Sequence, residues 1–304
     1  MLRFSKMQGA GNDFVVIDGI TQTFSPTSAL IQALCDRHFG IGADQLLLLE
    51  KPTCYDVDCV YRIFNCDGAE VEMCGNGARC VAKFLRERGL TNKDKILAQT
   101  ATRIVTLHYS EDKEVSVDMG VPSLRLSPTQ FHLANLKQVE QGGRICYEIS
   151  TAEGTFVADM VSMGNPHAVI FTKERPSAKA LERMGRSIEE SPLFPEKINV
   201  EFVTVTERTS AFVDVWERGA GITLACGTGA CASAVSGYLR GLFDETVQLQ
   251  LPGGLLTVSW DGNPFHSVQL KGPAKFVFDG VIDENKLLSR DKNKARKIFG
   301  DIHD

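Results

Sequence analysis

The apolar and polar positions of this chain change period several times, and each change marks an element. Residues 57–65 alternate, with Val57, Cys59, Tyr61 and Ile63 on one face, the two-residue period of a half-buried strand. Residues 14–18 and 45–50 are short apolar runs that also predict strands, the first ended by Gly19. Between them a helix is predicted: Ser25 caps it, Pro26 takes the first helical position, Ala29, Leu30, Ala33 and Leu34 form its apolar face, and Gly40 stops it. A second helix follows a glycine-rich turn over residues 76–88, with further strands at 96–99, 103–108 and 114–119.

The pattern weakens over residues 121–135, where Pro122, Ser123, Ser127 and Pro128 crowd together, the mark of a crossing between domains. Beyond it the theme returns. Strands are predicted at 155–163 and 168–171, a helix at 178–190, strands at 200–206 and 211–217, a helix at 228–239, and strands at 247–251, 255–260, 268–271 and 276–278.

The helix at 228–239 carries Ala230, Cys231, Ala232, Ala234, Val235, Tyr238 and Leu239, apolar nearly all round, so it belongs inside the fold. With many short strands around it, the expected class is α+β: two pseudo-symmetric domains, each a curved, mainly antiparallel sheet wrapped around a central helix. The expected boundaries are 1–121 and 122–280, with the last strands of the second free to return to the first, and a tail at 281–304. Each helix is expected to aim its N-terminus at the gap between the domains.

Two domains are expected because the chain says almost the same thing twice. A shift of 152 positions carries Cys74 onto Cys226, Gly75 onto Gly227, Gly77 onto Gly229, Ala78 onto Ala230 and Phe64-Asn65 onto Trp216-Glu217. A shift of 153 aligns Gly11-Asn12-Asp13-Phe14 with Gly164-Asn165-Pro166-His167. Glycine-rich turns resemble one another by chance, but several matches in one order at nearly one offset indicate duplication.

Composition narrows the classes. At 304 residues there is room for two cores, and 43% apolar with 23% charged residues is a globular composition. A net charge of −5 argues against nucleic acid, which needs a clustered basic surface. The basic stretch 290–297 is interrupted and reads as a solvated helix face. No apolar run approaches the ~20 residues needed to cross a bilayer, and no signal peptide opens the chain. Nine cysteines without an export signal point to a reducing cytoplasm, with Cys35, Cys54, Cys59, Cys66, Cys80, Cys146 and Cys231 expected as buried thiols.

Cys74 and Cys226 stand apart because each opens a turn of small residues into a helix. Unpaired first-turn amides and the helix dipole favour an anion there, and glycines let a small carboxylate come close. The same field is expected to lower the thiol pKa. Two such ends acting on one carboxylate would set a sulfur on each face of the adjacent carbon. That arrangement inverts a stereocentre, one thiolate taking a proton and the other thiol returning one, without a cofactor.

The residues resemble the diaminopimelate epimerase family closely. The resemblance is carried by Lys6-Met7-Gln8-Gly9-Ala10-Gly11-Asn12-Asp13-Phe14, Gly40-Ile41-Gly42-Ala43-Asp44-Gln45, Phe64-Asn65-Cys66-Asp67-Gly68, Cys74-Gly75-Asn76-Gly77-Ala78-Arg79-Cys80, Met163-Gly164-Asn165-Pro166-His167, Glu217-Arg218-Gly219-Ala220-Gly221, Ala225-Cys226-Gly227-Thr228-Gly229-Ala230 and Leu251-Pro252-Gly253-Gly254. It implies interconversion of LL- and meso-diaminopimelate without pyridoxal phosphate, on the route to lysine and cell-wall peptide. It implies Cys74 and Cys226 as the acid/base residues, His167 assisting Cys74 and Glu217 assisting Cys226. Backbone at Gly75, Asn76, Gly227 and Thr228 would hold the reacting carboxylate, and Asn12, Gln45, Asn65, Asn165, Asn199 and Arg218 would line the pocket. A small-molecule substrate, no nucleic acid, no membrane and a homodimer complete the expectation. Gln8 stands where histidine is common in the family, and Thr228 where serine is.

Rival classes make separate demands. A metal module needs ligand spacing, and no C-x2-C pair or spaced histidine pair is present. A thiol redox or nucleophile enzyme could use Cys74 with Cys80, but leaves the second cysteine turn unexplained. A racemase or isomerase of the same fold acting on another amino acid would share the cysteines and differ in the pocket.

Overall fold

The structure is a computed structural model that describes residues 1–71, 74–125, 127, 129–132, 135–141 and 143–289. In chain order its elements are β1 (Leu2–Gly9), β2 (Asn12–Asp18), α1 (Ser28–Cys35), β3 (Gln45–Glu50), β4 (Cys59–Asn65), β5 (Glu70–Val71), α2 (Gly75–Glu87), β6 (Lys95–Gln99), β7 (Ile104–Tyr109) and β8 (Val115–Asp118). There follow β9 (Lys137–Gln141), β10 (Arg144–Thr151), β11 (Gly154–Ser162), β12 (Pro166–Phe171), α3 (Ala178–Glu189), β13 (Asn199–Glu207), β14 (Ser210–Glu217) and β15 (Gly221–Ile222). The chain closes with α4 (Gly227–Leu239), β16 (Thr246–Leu251), β17 (Gly254–Ser259), β18 (Gln269–Gly272) and β19 (Lys275–Ile282). Two compact units result, one of Met1–Val115 with the chain from Ala274 onward, the other Ser116–Pro273.

In the first unit the strands run β19, β1, β2, β3, β4, β6, β7 across one sheet. The β2–β3 and β4–β6 steps are parallel and the others antiparallel. Parallel neighbours need a crossover, and the chain supplies α1 for the first step and β5 with α2 for the second. Helix α2 lies against β1, β3 and β7.

The second unit repeats this plan. Strands β11, β12, β13, β14, β16 and β17 follow the same succession of antiparallel, parallel, antiparallel, parallel and antiparallel steps. Helix α3 makes the first crossover, and β15 with α4 the second. Helix α4 lies against β11, β12, β13, β14, β17 and β18, so the sheet curls round it. Nearly all of its residues from Gly227 to Gly237 are buried, as an all-apolar helix requires. The duplication read from scattered motifs is therefore a duplication of topology.

Four local expectations are corrected. Helix α1 is capped by Thr27, whose hydroxyl accepts from the Leu30 amide at 3.3 Å, and not by Ser25. Its buried face is Leu30, Ile31, Leu34 and Cys35, displaced from the one predicted, and Ala29 is exposed. It ends at Cys35 because Asp36 turns extended and its carboxylate accepts from the amides of His38 and Phe39. Finally, Cys54 and Cys66 are exposed, whereas Cys35, Cys59, Cys80, Cys146 and Cys231 are buried.

Strand β1 escapes pattern reading because Ser5 and Lys6 are buried among its apolar residues. Distant partners make that tolerable: Ser5 donates to Asp279 at 2.6 Å, and Lys6 to Asp13 at 2.6 Å and to the Gly42 carbonyl. Strand β19 returns to pair with β1, from Leu2 opposite Ile282 to Gln8 opposite Lys275. From the tail, Leu287 joins a core of Leu2, Phe4, Val15, Ile17, Leu30, Leu34 and Leu46, while Leu288 is exposed. Met73, Ile298 and the basic stretch 290–297 lie outside the described residues. A second core gathers Ile149, Ala168, Leu181, Ile188, Val200, Phe202 and Trp216 in the other unit. Among the described residues no helix is long and apolar enough to cross a membrane.

Candidate active site

Cys74 and Cys226 are each the N-cap of the helix that lies against the sheet of their own unit. Cys74 has extended backbone, φ −137° and ψ 113°, and its sulfur accepts from the Gly77 amide at 3.5 Å. Cys226 repeats this with φ −121°, ψ 110° and an acceptor contact of 3.4 Å from the Gly229 amide. The sulfur thus takes the place usually filled by a serine or aspartate oxygen. The positive end of each helix dipole favours an anion beside each sulfur.

In the first unit Cys74 meets an amide side chain. Its thiol donates to Asn12 Oδ1 at 3.5 Å, and Asn76 Nδ2 donates to the same oxygen at 3.3 Å. Asn12 Nδ2 in turn donates to Asp44 at 2.9 Å. Gln45 and Asn65 face each other across β3 and β4 and are joined by a 2.9 Å hydrogen bond from Gln45 Nε2. Gln8 accepts from the Gly11 amide at 3.1 Å, closing a turn in which Ala10 and Gly11 both have positive φ.

The sequence reading missed what anchors this group. Arg79 is fully buried and donates to Asn76 Oδ1 at 2.8 Å and to the Gly75 carbonyl at 3.4 Å. Asp13 binds Lys6, Arg37 and the Asp44 amide. Burial opposes its charge, but the hydrogen bonds from Arg37 and Lys6 hold its carboxyl well below the usual carboxylate range. A charge inside an otherwise apolar or small-residue segment was the available signal for both residues.

The second unit surrounds Cys226 with ionisable groups. Cys226 is 5% exposed, and its sulfur is 3.5 Å from Thr228 Oγ1. Asn165 Nδ2 donates to Thr228 Oγ1 at 3.3 Å, and Asn165 Oδ1 lies 3.0 Å from His167 Nε2. His167 Nδ1 lies 2.7 Å from Glu201 Oε1, with both side chains fully buried. Asn199 is committed to backbone, donating to the Pro166 carbonyl at 3.0 Å and accepting from the Arg218 amide at 2.9 Å. It positions Arg218, whose guanidinium donates to the Glu196 carbonyl at 3.1 Å. Glu217 ends β14 beside the β15 turn, opposite Gly221.

The expected lowering of the thiol pKa does not hold at Cys226. Burial pushes it well above its ordinary value, the carboxylates of Glu217 and Glu201 push the same way, and the Thr228 hydroxyl and Gly229 amide only partly offset them. Cys226 is therefore a neutral thiol at neutral pH.

Position by position, the two halves correspond. Asn12 begins β2 where Asn165 precedes β12, Gln45 begins β3 where Asn199 begins β13, and Asn65 ends β4 where Glu217 ends β14. Phe14 faces Gln45 across a parallel pair, and His167 faces Asn199 in the same way. The first unit carries amides and apolar groups where the second carries His167 and Glu217. Among the described residues no group of three or more His, Cys, Asp or Glu is placed to hold a metal ion.

Similarity to known proteins extends over both halves of the chain. The sequence profile of the family described as Diaminopimelate epimerase matches residues 4–125 and 160–277, one stretch on each side of the repeat. A protein of Burkholderia thailandensis named Diaminopimelate epimerase is 47% identical over 285 residues, covering 93% of this chain and 98% of its own. One of that name from Cupriavidus taiwanensis is 46% identical over 282 residues, covering 93% and 97%. Among solved structures, a phenazine biosynthesis protein of the PhzF family from Bacillus anthracis superposes with a TM-score of 0.62 at 15% identity, covering 93% of this chain and 99% of its own. A hydroxyproline epimerase from Agrobacterium vitis gives 0.61 at 15% identity, covering 92% and 91%; these two likenesses concern the fold alone. With its two-unit α+β fold and a family match on both halves, this chain belongs to the diaminopimelate epimerase family.

Proposed function

We propose that this protein interconverts LL- and meso-diaminopimelate by a two-base mechanism in which Cys74 and Cys226 act on opposite faces of one Cα. The observation that carries the reading is that both sulfurs are N-caps at equivalent places in a duplicated topology, with a different polar environment around each. Cys226 supplies the thiol, because burial and two carboxylates keep it protonated. Cys74 supplies the thiolate for that half-reaction, with His167 taking its proton, and the roles exchange in the reverse direction. Glu217 assists Cys226. Amides of the first helical turns, at Gly75 and Asn76 and at Gly227 and Thr228, carry the negative charge that develops on the substrate carboxylate.

Asn12, Gln45, Asn65 and Asn165 are amides suited to an ammonium or a carboxylate at the distal amino-acid end, and Arg218 can fork onto a carboxylate. Asn199 contributes by holding the Arg218 backbone. The reaction is cofactor-independent on this reading, its setting is the cytoplasm, and the assembly is a homodimer, which light scattering would check.

Incubation of the purified protein with LL-diaminopimelate in heavy water tests the reading. Deuterium should enter at Cα as meso product forms, and Cys74→Ala and Cys226→Ala should each lose turnover. Retained activity in both variants would sink the two-base mechanism. Failure to turn over this substrate, with turnover of another amino acid, would sink the substrate assignment.

A further inference from the structure

Glu201 lies within β13, in the apolar run Val200-Glu201-Phe202-Val203, and is fully buried. Its Oε1 is the atom against His167 Nδ1, and its Oε2 is buried with no hydrogen-bond partner among the described residues. The first unit shows what packing alone requires at this place. Across the parallel pairs, His167 faces Asn199 and Val169 faces Glu201, as Phe14 faces Gln45 and Val16 faces Leu47. Leu47 is thus the counterpart of Glu201, and Phe14 that of His167. A Cβ on Gly77 would meet Leu47 and Phe14, and one on Gly229 would meet Glu201. An apolar pair borders the first helix start, and Glu201, which is bonded to His167, borders the second. Burying two ionisable groups where phenylalanine and leucine suffice carries a desolvation cost, so packing does not account for Glu201.

Hydrogen-bond polarity indicates what it does. Asn165 Nδ2 donates to Thr228, so Asn165 Oδ1 faces His167 Nε2, and Glu201 Oε1 faces Nδ1. A ring between two acceptors carries a proton on both nitrogens. Thr228 Oγ1 accepts from Asn165, which leaves its own proton for the Cys226 sulfur, 3.5 Å away, or for a bound carboxylate. If His167 loses its Nε2 proton, the Asn165 amide must turn over, and the Thr228 hydroxyl must then donate to Asn165.

We infer that Glu201 is a positioning residue that holds His167 as an imidazolium and, through Asn165, keeps the Thr228 hydroxyl available at Cys226. The inference rests on the proposed mechanism only where it gives His167 a role toward Cys74. In that mechanism the imidazolium is the state in which Cys74 is thiolate and Cys226 is thiol, so Thr228 is poised to stabilise the Cys226 thiolate as it forms.

The test is 15N NMR of the ligand-free protein labelled at histidine, at neutral pH, with His167→Gln used only to assign the signal. Wild type should show both His167 nitrogens protonated, and Glu201→Gln should show one of them unprotonated. In Glu201→Gln, kcat should fall about tenfold or more while KM moves less than about threefold. A singly protonated ring in wild type, or a Glu201→Gln protein that matches wild type in spectrum and kcat, overturns the inference. Glu201→Leu, which restores the residue of the other half, should also give a neutral ring and serves if the glutamine variant does not fold. Should neither fold, the wild-type spectrum decides. The spectra use no substrate, so a protein inactive on diaminopimelate would leave the ring assignment standing, while a neutral ring with full turnover would overturn this inference alone.

Discussion

A Cβ on Gly229 would lie 2.6 Å from Glu201 Oε1, so the backbone of the second cysteine turn and the buried carboxylate share one contact surface. At Gly77, its counterpart, the nearest atom is a Leu47 methyl at 3.1 Å. Gly229→Ala must displace either the carboxylate or the first turn of α4, and overpacking of this kind costs about 1–3 kcal/mol. In Gly77→Ala a rotating methyl can yield, and removing a helical glycine returns about 1 kcal/mol. Urea unfolding should therefore show a lower midpoint for Gly229→Ala and little change for Gly77→Ala. Equal losses in the two variants would mean that Glu201 is not fixed against the helix.

Arg79 holds Asn76 and the Gly75 carbonyl from inside the fold. Arg79→Met keeps the volume but leaves two buried acceptors short of a donor, a loss of about 1–3 kcal/mol. Because Asn76 in turn binds Asn12, which accepts from Cys74, activity should fall beyond what the stability loss explains. Turnover measured well below the unfolding midpoint separates the two effects.

Thiol alkylation should follow exposure. Cys54 and Cys66 are exposed and should react first with iodoacetamide in the native protein. Cys226, held protonated by burial and two carboxylates, should react far more slowly, as should the buried Cys35, Cys59 and Cys80. Peptide mapping by mass spectrometry reads the order, and early labelling of Cys226 would contradict its assignment as a resting thiol.

Alkaline pH should destabilise the fold in a defined window. Burial pushes Cys35, Cys59 and Cys80 up to about 12 from an ordinary 9.0. Between those values the folded protein binds protons that the unfolded chain has lost, so stability falls as pH rises. Each thiol contributes at most about 1.4 kcal/mol per pH unit within the window, and its full contribution is present below pH 9. Urea midpoints at pH 7, 8 and 10.5 should be similar at the first two and lower at the third. Cys80→Ser or Cys80→Ala should flatten the alkaline fall relative to wild type.

Sequence by itself determined the duplication, the two cysteine turns, the buried all-apolar helix and most strands, because these are local periodicities and spacings. It also singled out the residues from Asn12 to Thr228 as candidates, through their order along the chain. The tertiary structure alone decided which polar groups are buried and against what. Strand β1 contains a buried serine and lysine whose partners, Asp279 and Asp13, no local pattern could supply. Glu201 reads as an irregularity in an apolar strand until parallel pairing sets β13 beside β12 and the turn of α4 closes over it. The Cys226 thiol shows the same limit. Its helix end predicts a thiolate from sequence, but desolvation and two carboxylates delivered by other strands outweigh the amides, and those arrive only with folding.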